Sequence, residues 1–361
     1  MRVLVTGCNG YIGSVLTPML LAEGHAVLGV DCDLYEHCAF TARAAEAGYY
    51  KVDVRDLRAA DLRGFDAVIH LAALSNDPLG DLDPALTYEI NHLATVRLAK
   101  MARQVGVERF LFSSSCSTYG SAGDAAVGED AEFHPCTPYG HSKVLAERDL
   151  SLLADDDFSP VFLRNATAYG CSPRLRLDLV VNDFVAAAFT AGVIRLRSDG
   201  TAWRPLVHVE DICRAFLAAL HAPRAAIHNQ AFNVGRTEEN YRVNEVAAIV
   251  AETVPGSRIE YAAGASSDQR CYRVDCSKIA WQLPGFRPQW TVQSGARQLF
   301  EAYRQHDLTA DDLTGNAYFR LRTLREHLDD GRLAGDLRWR PMTPPLSHVI
   351  TSVGNALRGV P

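Results

Sequence analysis

Tyr139 and Lys143, four residues apart in "YGHSK", form a pair that could move a proton. On a helix that spacing puts both on one face. A buried ammonium beside a phenol favours the phenolate. Bringing a phenol from about 10 to about 7 takes roughly 4 kcal/mol of differential stabilisation. So tuned, the phenol is a general base near neutral pH. Ser115, in "FSSSCSTYG", offers a hydroxyl that could hold the same reacting oxygen. Alone, the Tyr/Lys pair fits a helix surface equally well, and a serine run fits turn capping. The three groups together point to a site.

A second pattern opens the chain. "RVLVTGCNGYIGS" places Gly7, Gly10 and Gly13 between an apolar run and a helical pattern. Gly7 suits a turn whose dihedrals a Cβ forbids. Gly10 would let the backbone touch a pyrophosphate, and Gly13 would let the helix approach the sheet. The helix N-terminus then presents free N–H groups to the anion, with Asn9, Tyr11 and Ile12 lining the turn. Asp31 closes the second strand pattern, "AVLGVD". There an acid accepts hydrogen bonds from the adenosine ribose and repels a 2′-phosphate, so NAD is expected over NADP. Asp53 in "KVDVRD", beside Val54, could reach the adenine amino group; capping a turn fits it equally well.

These groups need a frame. Apolar runs at 2–6, 26–31, 49–53, 67–72, 109–115 and 160–166 read as strands, alternating with helical patterns at 11–23, 84–105 and 138–154. Nearly continuous apolar strands between helices predict a doubly wound parallel α/β sheet of the Rossmann type. We expect an NAD-binding domain over 1–170, completed by strands near 205–209 and 230–235. A smaller mixed α/β substrate-binding lobe and a C-terminal helical tail are expected over 171–361. The stretch "YFRLRTLREHLDDGRLAGDLRW" reads as an amphipathic packing helix.

Composition narrows the class. A 361-residue chain with 48% apolar and 22% charged residues has an ordinary globular balance. A net charge of −7 argues against a nucleic-acid partner. Nine scattered cysteines, with no zinc-type spacing, read as reduced thiols in a cytoplasmic protein with no metal. No apolar run approaches the roughly 20 residues of a membrane span.

The glycine turn, Asp31, "HLAA" (70–73), Asn91 in "EINHLAT", "SSSCSTYG" and "YGHSK" together resemble the extended short-chain dehydrogenase/reductases. Within these the chain is most similar to the nucleotide-sugar 4-epimerases and their dehydratase and reductase relatives. The resemblance implies Ser115, Tyr139 and Lys143 as the catalytic trio. It implies Leu71, Ala72, Ala73, Asn91 and Ser113 as further cofactor-side residues. For a nucleotide-diphosphate sugar it implies Asn182 of "VVNDF", Arg204 of "WRPLVHVED" and Arg270 of "DQRCYRVDCSKI". Two departures add candidates. "LRNATAYG" has Asn165 and Thr167 where relatives often carry a later Asn, and "SPRLRLD" offers Arg174 and Arg176 in place of a missing phosphate-segment Arg. The resemblance also implies a homodimer built from the helices at 84–105 and 138–154.

Residues 116 and 117 bear on the reaction. Removing water across C5–C6 needs carboxylates beside the strand end. This chain has Cys116 and Ser117 there, which disfavours the 4,6-dehydratase and decarboxylase readings. A strand alternates its faces, so the Cys116 thiol is expected to pack inward. Transient oxidation at C4 needs only the Ser/Tyr/Lys set. C4 epimerisation is therefore the expected reaction, with a 4-ketoreductase as the alternative. Intact catalytic residues argue against a silent NAD-binding scaffold.

Overall fold

The computed structural model describes residues 1–42, 47–266 and 271–340. Its centre is a seven-stranded sheet in which every pairing is parallel. The strands are Arg2–Thr6, Ala26–Asp31, Gly48–Lys51, Ala67–His70, Arg109–Ser115, Ser159–Asn165 and Gln230–Val234. Counted along the chain, they lie side by side in the order 3-2-1-4-5-6-7. The doubly wound expectation therefore holds. The order reverses beside the first strand, where open sheets of this kind bind ligands at their carboxyl ends.

Burial explains the composition of these strands. Ser159–Asn165 is buried at all seven positions and Ala67–His70 at all four. Helices cover both faces, so alternation gives way to continuous apolar runs.

Two elements differ from the sequence reading. The segment 84–105 is not one α-helix: a π-helical turn, Glu89–Leu93, separates Pro84–Tyr88 from Ala94–Gln104. The wider turn carries Asn91, whose side chain bonds outside its own helix. The strand Trp203–His208 also does not complete the central sheet. After Asn165 the chain breaks at Ala166, whose N–H bonds Val234 O at 3.1 Å. The following strand, Thr167–Tyr169, leaves the central sheet and pairs with Leu206–His208. Asn240–Arg242 adds the third strand of this separate sheet. Gln230–Val234 does join the central sheet, at its edge.

A second apolar cluster is built around helices Val180–Ala191, Val243–Thr253 and Val292–Gln305. The C-terminal stretch is helical only over Arg320–Asp329; a turn then leads to a bridge between Leu333 and Trp339. Among the described residues no helix is long and apolar enough to cross a membrane.

The first turn carries a steric prediction. A Cβ at Gly13 would lie 2.2 Å from Gly7 O and 2.7 Å from Cys8 Cα. Gly13→Ala should destabilise the NAD-free protein by about 1–3 kcal/mol, the usual cost of overpacking. Gly128→Ala, with nothing within 4 Å, should change stability by less than about 0.5 kcal/mol. Urea unfolding of the two variants checks this.

Candidate active site

One cleft of about 950 Å³ opens at the carboxyl ends of the central strands. That is the upper end of the usual range for ligand sites, ~300–1,000 Å³. Its floor begins at the glycine turn. Gly7 has φ +73°, and a Cβ there would lie 2.8 Å from Ala72 N. Glycine is therefore required for the turn to pass under "HLAA". Asn9, Gly10, Tyr11, Ile12 and Gly13 all face the cleft, as do Leu71, Ala72 and Ala73.

Asp31 lies in the same wall. It accepts the backbone N–H groups of Asn9 at 2.9 Å and Asp33 at 2.8 Å. Burial pushes its carboxyl up, while those two N–H bonds and Arg174 pull it down. Its position suits a ribose diol. Asp53 and Val54 also line the cleft. Asp53 performs the capping role: it accepts Arg55 N–H at 2.8 Å and pairs with the Arg55 guanidinium at 2.7 Å.

The opposite wall carries Ser115, Tyr139 and Lys143. The helix Pro138–Ser151 starts cleanly, because Thr137 Oγ1 accepts Gly140 N–H and proline sits at its first position. Tyr139, Lys143 and Glu147 then recur every four residues on its inner face. Lys143 is 3% exposed and its Nζ donates to Ser113 O at 2.8 Å. Burial lowers its pKa to about 7, against a raising pull from Glu147. The Tyr139 phenol hydrogen-bonds Ser115. Ser115 Oγ also accepts from Ser117 N at 3.1 Å and Ser117 Oγ at 2.9 Å.

The expected lowering of the Tyr139 pKa is not what the environment gives. Burial raises it to about 12; the Ser115 bond and the Arg176 charge lower it, and Asp77 raises it. The physical reason is desolvation of the phenolate, which outweighs the cations in reach. Lys143 stands 5.8 Å from the Tyr139 ring, over Phe112 at 4.6 Å, and its own charge is depressed by the same burial.

The other sequence candidates divide. Ser113, Asn165, Thr167, Arg176 and Arg204 line the cleft. Asn165 Nδ2 donates to Ser113 Oγ at 3.0 Å, while its buried Oδ1 has no hydrogen-bond partner. Arg176 grips Asp178 at 2.9 and 3.0 Å and reaches Ser75 Oγ at 3.2 Å.

Three candidates point elsewhere. Asn182 is fully buried and outside the cleft wall; its amide accepts Gly170 N–H at 2.9 Å and donates to Arg176 O at 3.0 Å. It holds the loop that carries Arg176. Arg174 also turns away, donating to Glu36 O at 2.6 Å. Asn91 is fully buried too, bonding both Leu74 N at 2.8 Å and Leu74 O at 3.0 Å, and Ser142 Oγ at 3.2 Å. Each makes backbone hydrogen bonds, Asn91 one to Ser142 Oγ besides, and none of the three lines the cleft. Arg270 lies outside the described residues.

Cys116 is fully buried, its thiol 3.1 Å from Arg164 O. Asn76, Asp77, Asp178, Asp183, Arg195 and Arg197 line the cleft without having been singled out. Asn76 lies three residues after "HLAA" and donates to Asp178 at 2.9 Å, so its proximity to the motif was a usable signal. Asp183 adjoins Asn182, and burial raises its pKa to about 6. Cysteine and histidine spacing also missed one cluster. Glu23, His25 and His221 bring three ligand-type atoms within 4.8 Å at the end of the sheet away from the cleft.

The donor set fits a dinucleotide. The glycine cradle, the carboxylate at the second strand end and an unpartnered Asn165 Oδ1 all face the same space. Comparisons agree. The model of the NAD dependent epimerase/dehydratase family matches residues 3–235. A UDP-glucose 4-epimerase of Mycolicibacterium smegmatis is 32% identical over 318 residues, covering 84% of this chain and 99% of that protein. The structure of MoeE5 with UDP-glucose and NAD has a TM-score of 0.72 at 30% identity, over 84% of this chain and 99% of that one. DesIV, a dTDP-glucose 4,6-dehydratase from Streptomyces venezuelae, has a TM-score of 0.73 at 25% identity, over 84% and 97%. The cofactor is NAD.

Lys143 should cost stability. Unfolded, a lysine keeps its proton to about 10.4; folded, this one releases it near 7. Between those values the unfolded chain binds more protons, so stability rises with pH, by up to ~1.4 kcal/mol per unit. Lys143→Met should be more stable than the parent at pH 7 in NAD-free protein, with the gap narrowing towards pH 10. Urea unfolding across that range tests it; a flat gap contradicts burial as the cause.

Proposed function

The chain belongs to the NAD dependent epimerase/dehydratase family, and from that premise we propose that it epimerises a nucleotide-diphosphate sugar at C4. The observation that carries this is the bare catalytic set: Ser115, Tyr139 and Lys143 meet in the cleft while Cys116 is buried away from it and position 117 is a serine. A carboxylate pair at those two positions, as dehydration would use, is not there. The 4-epimerase relative supports the same reading.

When bound, NAD supplies the hydride acceptor, the hydride donor on return, and a positive ring charge. Tyr139 Oη accepts the proton of the C4 hydroxyl and later gives one back. Ser115 Oγ, already bonded to that phenol, holds the reacting oxygen on line. Lys143, anchored on Ser113 O, places its ammonium on the inner side of the phenol. Because the phenol is held near 12 by burial, its deprotonation needs local positive charge; Arg176 already lowers it, and Lys143 Nζ stands 5.8 Å from the ring. Inversion requires the 4-keto sugar to present its other face. Arg176, Arg195, Arg197 and Arg204 would hold the nucleotide diphosphate while the sugar turns; an Arg fork suits that group.

A homodimer through the segments 84–105 and 138–154 is part of the proposal. Leu98 and Leu150 are fully buried and so unavailable, but Leu93 is 58% exposed and Val144 and Leu145 are half-buried. Sedimentation at micromolar concentration should give twice the chain mass.

The reaction itself is tested by isotope. A C4-deuterated substrate should return product still deuterated at C4, with no added reduced nicotinamide. Tyr139→Phe should retain NAD and lose roughly 10²–10⁴ in turnover. A requirement for stoichiometric reduced nicotinamide would assign a 4-ketoreductase instead.

A further inference from the structure

The sequence reads the C-terminal stretch as packing, yet it forms a wall of the cleft. Phe319, Arg320, Leu321, Arg322, Arg325 and Leu337 all line it. The stretch is fastened at the ends of the second and third strands, where Asp31 and Asp53 lie. Trp339 Nε1 donates to Cys32 O at 2.6 Å, and Arg55 Nη2 donates to Asp336 O at 2.8 Å. His327 Nε2 meets Leu34 O at 3.2 Å, and Arg338 pairs with Asp56. Between these ties, Leu324, Leu333 and Leu337 pack with Leu34, Leu74 and Leu79 in one apolar cluster.

Arg320 is the unusual member. It is 2% exposed. Its Nη2 donates to Arg174 O at 2.9 Å and its guanidinium lies over the Tyr35 ring at 4.3 Å. Its buried Nη1 has no hydrogen-bond partner. Asp178, which feels the Arg320 charge, is already gripped bidentately by Arg176. Two buried guanidiniums therefore share one carboxylate. A buried donor without an acceptor costs about 1–3 kcal/mol, more when charged. Such an arrangement persists where a ligand supplies the anion.

We propose that Phe319–Trp339 is part of the ligand site, and that Arg320 Nη1 donates to a diphosphate oxygen of a bound nucleotide. NAD and a nucleotide sugar both carry that group; the sugar-nucleotide source rests on the function proposed above, and the NAD source does not. The rest of the segment closes the strand ends behind the guanidinium, so that a nucleotide bound there is shielded from water on this side.

Arg320→Met keeps the apolar stem and removes the donors. Two readouts are taken on NAD-loaded protein: the rate at which NAD is released after desalting, and calorimetric binding of UDP, dTDP, GDP and CDP. We expect one of the two to change at least tenfold. Faster NAD release assigns the oxygen to the dinucleotide. Weaker nucleoside-diphosphate binding with NAD retained assigns it to the substrate. Because NAD release is measured without turnover, failure of the epimerase reading leaves that readout intact. Should Arg320→Met unfold, Trp339→Phe loosens the same wall by deleting the bond to Cys32 O and part of the ring packed in the leucine cluster, and should speed release of the same ligand. NAD release and nucleoside-diphosphate binding both within twofold of the parent, in the folded variant, overturn the proposal.

Discussion

The cleft depends on a buried ion pair, Glu147 with Arg164, that does not itself line the cleft. Glu147, one turn beyond Lys143, accepts from Arg164 Nε at 3.1 Å and Nη2 at 2.7 Å, and also bonds Ser114 Oγ. Both charged side chains are about 5% exposed. Removing one partner would strand the other in a dry interior, a loss of order 3–5 kcal/mol. Arg164 is held further by Tyr119 Oη at 2.9 Å and Glu129 O at 2.8 Å. The pair thus ties the helix Pro138–Ser151 to two adjacent strands at once. With that register fixed, one turn back along the helix puts Lys143 on Ser113 O, and a further turn puts Tyr139 beside Ser115. The short chemistry motif is accurate only because a longer structural one lies beneath it.

The same dry interior sets the charge balance. Burial takes the Lys143 ammonium down to about 7 and the Tyr139 phenol up to about 12. Both shifts oppose the ionised states that proton transfer uses. A protein that needed only stability would not bury these groups so. Beside them stand arginines as well as carboxylates: Arg176, Arg204 and Arg320 are each under 10% exposed, and Arg176 is paired with Asp178. Guanidinium groups in such a cleft suit ligands that carry anions.

Much of this was legible in the sequence. Period and composition placed the parallel strands to within a few residues, because buried parallel strands read as continuous apolar runs. The glycine turn was legible because only a residue without Cβ fits under Ala72. What resemblance could not supply was direction. Asn182, Arg174 and Asn91 have the right types for binding, but their side chains bond backbone groups and lie outside the cleft wall. A residue type transfers between relatives; the rotamer and its partners need not. Arg320 was missed for another reason. Arginines in a C-terminal amphipathic helix look like a solvated face, and only the fold brings this helix about 290 residues back to the second strand's end.

The C-terminal wall also bears on which reaction the cleft suits. In an epimerisation the hydride returns to the sugar, so the dinucleotide never has to leave. A reductase must exchange it every turnover, and each exchange would open whatever covers it. If faster NAD release from Arg320→Met places the dinucleotide behind this wall, its cover is held by four separate ties to the loops at 32–36 and 53–56, with an apolar cluster between them. The exposed Arg338–Asp56 pair contributes little, about 0–1 kcal/mol. The leucine cluster contributes far more, since each fully buried side chain is worth about 1.5–3 kcal/mol. Separating it in every cycle would expose that apolar surface each time. A cover of this kind is compatible with turnover when turnover does not require its removal, which is the thermodynamic reason for placing the redox-neutral reading ahead of the reductive one.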